Sequence, residues 1–109
     1  MTVEAFIQRT GFNPTLLADK NREISGVYIG DLLSWVMGRA SADDAWITIM
    51  SNLNVIAVAS LADVSCVVFS EGVIPDDELV RVAAEKGVNL ICTPLSSYEA
   101  AVKISEILK

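Results

Sequence analysis

Two short runs constrain this chain more than anything else in it: Cys66-Val67-Val68-Phe69 and Leu90-Ile91-Cys92, each apolar at consecutive positions and each followed by helix-start signals. Side chains alternate between the two faces of a strand, so an uninterrupted apolar strand must be covered on both sides. Parallel strands held between layers of helices behave this way. Trp46-Ile47-Thr48-Ile49 repeats the pattern upstream. The three runs recur at intervals of about 20 residues, room for a strand, a turn and a short helix in each unit.

The intervening segments supply the helices. Leu53 to Leu61 reads as a short, almost wholly apolar helix, and Pro75-Asp76-Asp77 opens another that Gly87 ends. Ser96 or Ser97 is set to cap the last helix, which carries Ala100, Ala101, Ile104 and Leu108 on one side. Nearer the start, Thr2 is placed to cap a helix over about Val3 to Thr10, stopped by Gly11. Thr15 to Ala18 and Glu23 to Ile29 flank the polar Asp19-Lys20-Asn21 and predict a hairpin, although Ser25-Gly26 weakens its second strand. Asp31 reads as the cap of a helix over Leu32 to Arg39, whose apolar face comprises Leu32, Trp35, Val36 and Met37. The expected fold is α/β: a three-layer sandwich with a mainly parallel sheet of βα units, plus an N-terminal helix and hairpin.

Length and composition set the scale. At 109 residues the chain is expected to be one domain, 1–109, because half of it could not bury enough apolar surface to offset its ordering entropy. Apolar residues make up 52% and the mean hydropathy is +0.47, more than so small an interior needs. Both faces of a sheet are then covered, or an apolar patch is shared with a partner. No apolar run approaches the roughly 18 residues of a membrane span, since Asp63 interrupts the richest region, Val55 to Phe69. The start, with Glu4 early and no basic segment leading an apolar one, carries no signal-peptide pattern, so a cytoplasmic location is expected. With a net charge of −6 and eight Lys and Arg residues scattered singly, nucleic acid is an unsuitable partner.

Reactive constellations are sparse. Gly26 and Gly30 enclose Val27-Tyr28-Ile29 and are followed by Asp31, which matches neither a P-loop nor a dinucleotide fingerprint. Asp31 would also repel an anion at a helix start. No histidine exists to activate a serine or complete a metal site, and Cys66 and Cys92 lie inside apolar segments, so they read as reduced core thiols. The pairs Asp43-Asp44 and Asp76-Asp77 read as solvated leaders of a strand or helix. No enzyme, cofactor or metal is expected. The loops after the three strands are better candidates, because an open α/β sheet places its ligand crevice at the carboxyl ends of its strands. They read Ser51-Asn52-Leu53-Asn54, Ser70-Glu71-Gly72 and Thr93-Pro94-Leu95-Ser96-Ser97, rich in small polar groups at helix starts.

The run Arg22-Glu23-Ile24-Ser25-Gly26-Val27-Tyr28-Ile29-Gly30-Asp31-Leu32-Leu33, with Trp46 to Met50, Val73 to Leu79 and Thr93 to Ala101, resembles the DRTGG domain. The likeness extends over about Asn21 to Lys109. That family is related to the N-terminal domain of HPr kinase/phosphorylase and occurs beside CBS domains and in phosphotransacetylases. Where its name-giving motif has Thr-Gly-Gly, this chain has Ser25-Gly26-Val27. The resemblance implies an α/β accessory domain of regulatory or ligand-sensing type. The expected function is therefore non-catalytic: binding of a small anionic metabolite or nucleotide at the strand-end loops. Ser25, Gly26, Gly30, Asn52, Asn54, Ser70, Gly72, Thr93, Ser96 and Ser97 are the expected contacts. The alternative is a homodimeric interaction domain without a small ligand, whose interface draws on Trp35, Met37 and the helix Val55 to Leu61.

Overall fold

The computed structural model describes residues 1–108; Lys109, where the resemblance ends, lies outside them. In chain order the elements are α1 (Val3–Thr10), β1 (Asn13–Leu16), β2 (Gly26–Ile29), α2 (Leu33–Arg39), β3 (Asp44–Thr48), α3 (Asn54–Ala62), β4 (Cys66–Phe69), α4 (Asp77–Lys86), β5 (Asn89–Cys92) and α5 (Ser97–Leu108). The strands form one sheet in the order β1-β5-β4-β3-β2. β2, β3, β4 and β5 run parallel, and only β1, at the far edge, is antiparallel to its neighbour β5.

The consecutive apolar runs are the reason for this arrangement. Every residue of β3, β4 and β5 is buried. Trp46, Val67, Phe69 and Leu90 face one side of the sheet, packed with Val36 of α2, Val55 and Ile56 of α3 and Leu79 of α4. Ala45, Ile47, Cys66, Val68 and Ile91 face the other, against Val3 and Phe6 of α1 and Ala100 and Ile104 of α5. Three crossover helices thus cover one face and the first and last helices the other, the expected three-layer sandwich.

The caps also follow the sequence. The Thr2 hydroxyl accepts from the Ala5 N–H, Asp76 from the Leu79 N–H, and Ser96 from the Glu99 N–H at 3.1 Å while the Glu99 carboxylate accepts from the Ser96 N–H, a capping box. Gly11 and Gly87 end their helices in the left-handed region.

Three expectations are corrected. β1 and β2 do not form a hairpin: they are the opposite edges of the sheet. The polar segment between them is a crossing, not a reversal. It passes under the amino ends of the parallel strands, where the Asn89 amide bonds both the N–H and the carbonyl of Asp19, the Ser65 hydroxyl bonds the Glu23 carbonyl, and the Ser25 N–H bonds the Asp43 carbonyl. Asp31 does not cap α2, whose N-cap is Leu32 without a side-chain bond. Its carboxylate turns instead to β3 and accepts from the Thr48 hydroxyl at 2.8 Å and the Ile49 N–H at 2.9 Å. Asp44 is no solvated leader either; it is 8% exposed and accepts from the Ser41 N–H.

Candidate functional site

Parallel strands bring their carboxyl ends to one rim, so the loops after β2, β3, β4 and β5 meet there. Gly30, Asn52, Asn54, Ser70, Gly72, Thr93, Ser96 and Ser97 all stand on this carboxyl rim, in those loops or at the helix starts that follow them. Ser25 and Gly26 do not join them. Gly26 opens β2 opposite Asp44, the first residue of β3, and so lies at the amino rim with Ser25. Gly26 is needed there by a close approach: a Cβ on it would sit 2.6 Å from Asp44 Oδ1.

The loops after β4 and β5 leave the sheet toward opposite faces, because α4 packs on one side and α5 on the other. In an open α/β sheet, neighbouring strands whose connections part in this way leave a crevice between them. Here that crevice is laced together. The Glu71 N–H donates to the Leu95 carbonyl at 2.7 Å, the Gly72 N–H to the Thr93 carbonyl at 3.1 Å, and the buried Ser70 hydroxyl meets that of Ser97 at 2.6 Å. Glu71 and Gly72, at φ 59° and 75°, make the left-handed turn that allows the lacing. The rim hydroxyls predicted from sequence are therefore together, and each already has a partner. Thr93 accepts from the Leu95 N–H, and Asn52 accepts from the Asn54 N–H.

Open space lies one strand over, toward β1. A cavity of about 170 Å³ is lined by Asn13 of β1, the turn Gly72–Ile74 and the segment Cys92–Pro94. Asn13 was outside the sequence reading, because its strand was expected to pair elsewhere; its register opposite Cys92 is what brings it to the carboxyl rim. Of the lining residues, Cys92 is held by the Thr15 hydroxyl, which donates to its Sγ at 3.0 Å.

Charge at this rim has one sign. The loops after β2 to β5 carry Asp31, Glu71 and Asp76 and no Lys or Arg, and the first turns of α4 and α5 add Asp77, Glu78 and Glu99. α2 and α3 begin without an acidic residue in the first turn or a side-chain cap. The ordered cation is at the amino rim: Arg22 donates to Asp43 Oδ1 at 2.9 Å and to the carbonyl and carboxylate of Asp63. Burial lowers the Arg22 pKa, but bonds to the Asp43 and Asp63 carboxylates outweigh it and hold the guanidinium above its usual range. Burial also pushes the Cys66 thiol up to about 12, against the pull of nearby Arg22. Both cysteines are free and buried.

Compared with known families, the chain matches the DRTGG domain over residues 15–107. It belongs to the DRTGG domain family. Among solved structures, the domain is similar to the CBS and DRTGG domains of the regulatory region of Clostridium perfringens pyrophosphatase, described as complexed with an activator, diadenosine tetraphosphate. The TM-score is 0.73 at 15% identity, over 94% of this chain and 45% of that one. The DRTGG domain described here thus spans less than half of that regulatory region, and the likeness at this identity is one of fold. No curated protein matches it.

Proposed function

We propose that this DRTGG domain is a non-catalytic, cytoplasmic regulatory module that senses a nucleotide-class ligand at its carboxyl rim. The observation that carries the reading is the cavity of about 170 Å³ beside the parting loops of β4 and β5, at the edge of a sheet otherwise filled by side chains. Pockets for small molecules favour this end of an α/β sheet, with mostly apolar walls and a few placed polar groups. The nucleotide in the C. perfringens regulatory region supports the ligand class. Of the two classes expected from sequence, a nucleotide is favoured over a simple anionic metabolite, because the rim loops offer an anion no Lys or Arg and only a ligand with an uncharged ring can gain affinity from the apolar cavity walls. Catalysis has no support at the rim, where the buried Ser70 hydroxyl faces another hydroxyl and not a base.

The test is a thermal-shift panel of nucleosides, nucleotides and simple anions at millimolar concentration. A ligand at 100 times its Kd stabilises the native state by about 2.7 kcal/mol, a readily measured rise in Tm. A panel in which nothing raises Tm contradicts the reading.

A second reading, homodimerisation, is favoured by α2. Of its expected apolar face only Val36 is buried; Leu32 at its cap, Trp35 and Met37 are 58%, 54% and 43% exposed. The α3 part of that expected interface is instead core, with only Leu61 strongly exposed at its end. Light scattering at rising concentration decides this: a doubled mass supports a dimer, and a Trp35→Ser variant that remains doubled removes α2 from its interface.

A further inference from the structure

The cavity and the charge around it say more about the ligand than its class. The seven residues that line the cavity include no ionisable group other than the thiol of Cys92, which is 7% exposed and occupied as the acceptor from Thr15. At about 170 Å³ it is close to the roughly 150 Å³ apolar cavity that holds a single benzene ring. It is well below the roughly 300–1,000 Å³ of sites that enclose drug-sized ligands. One planar ring system fills it; the ribose and phosphates of a nucleotide would lie outside. Two side chains could orient such a ring. The exposed Asn13 amide has no hydrogen-bond partner among the described residues, and the Thr93 hydroxyl accepts from the Leu95 N–H but gives its own proton to no described acceptor.

The segments that flank the lining turn carry only acidic charge: Glu71 precedes Gly72–Ile74, and Asp76, the cap of α4, follows it beyond Pro75. The basic residues nearest in sequence to β1 are Arg9, on α1, which packs on the opposite face of the sheet from the α4 side where Cys92 and Val73 cluster, and Lys20, paired with Glu4 in the crossing segment. We infer that this cavity is a ring-reading subsite: it takes an uncharged heterocycle of nucleobase size, oriented by Asn13 and Thr93, and the acidic residues flanking its lining disfavour phosphate. This rests on the ligand-sensing reading above and narrows it. Recognition runs through the base, and each added phosphate weakens binding.

The experiment uses the full chain, with amide chemical shifts followed during titration with adenosine, guanosine, AMP and ATP at about 0.05 and about 0.2 M salt. The expected result is that at least one nucleoside shifts the Gly72, Val73 and Thr93 amides, and that the corresponding ATP or AMP binds no more tightly. Raising salt tightens the nucleotide, because screening relieves repulsion, whereas a cationic phosphate site would weaken. Asn13→Ala, at an exposed edge position, weakens the nucleoside about fivefold, the loss of one neutral hydrogen bond. A Glu71→Gln variant selectively improves ATP. Nucleotides that bind more tightly than nucleosides, weaken with salt or shift only Ser51–Asn54 overturn the inference and leave ligand sensing standing. If no compound shifts any amide, both fall.

Discussion

Gly26 and Gly38 are the same residue in opposite circumstances. A Cβ at Gly26 meets Asp44 Oδ1 at 2.6 Å, and that carboxylate is held by its bond from the Ser41 N–H, so it cannot simply swing away. Gly26→Ala is expected to destabilise the fold by about 1–3 kcal/mol, the usual cost of overpacking, read as a lower urea midpoint. At Gly38, inside α2, a Cβ meets nothing within 4 Å. Gly38→Ala is expected to stabilise by about 0.5–1 kcal/mol through helix propensity alone. Cys66 supplies a pH dependence. Its native thiol is pushed up to about 12 from the model-peptide value of 9.0. Below pH 9 both native and unfolded thiols keep their proton, and this contribution to stability is fully present. Between pH 9 and about 12 the unfolded chain ionises first, so stability falls as pH rises through that window. Denaturant titrations across this range should show a shallower alkaline decline in Cys66→Ala than in the parent protein.

Among the elements, the βα units were legible because their strands carry apolar residues at consecutive positions, and only a doubly covered strand tolerates that. Their helix starts were legible because Asp76 and Ser96 cap locally, within three residues. Ser96→Ala removes the hydroxyl that caps the Glu99 N–H and keeps the backbone N–H that holds the Glu99 carboxylate. The expectation is a loss of about 1 kcal/mol, with faster hydrogen exchange confined to the first turn of α5. What the sequence concealed was long-range. Polar residues at Asp19-Lys20-Asn21 announce a change of course but not its destination, and the partners that make a crossing of it, Asn89, Ser65 and Asp43, lie far along the chain. Asp31 misled for a related reason. An Asp before a helix is a cap by local rules, but Thr48 and Ile49 on the adjacent strand compete for its carboxylate and win. The candidate site divides along the same line: the rim residues followed from parallel topology, while Asn13 depended on an antiparallel edge pairing that no local pattern announces.

At the scale of the molecule, the connection from β1 to β2 ties down the amino end of the sheet. It touches β5 through Asn89, the start of β4 through Ser65 and the turn before β3 through Asp43. Arg22 adds bonds to that same turn at Asp43 and to one further turn at Asp63, both residues held in left-handed conformation. A girth strap drawn tight at one end of a barrel leaves all the slack at the other. Short Gly-Ser insertions after Asn52 should be absorbed with little change in Tm, whereas the same insertion after Lys20 should cost several degrees or prevent folding. Differential scanning calorimetry of the two variants reads the contrast directly. A designer wishing to graft a sensor loop, or a genome lengthening one by chance, has only one pole of this molecule on which to work.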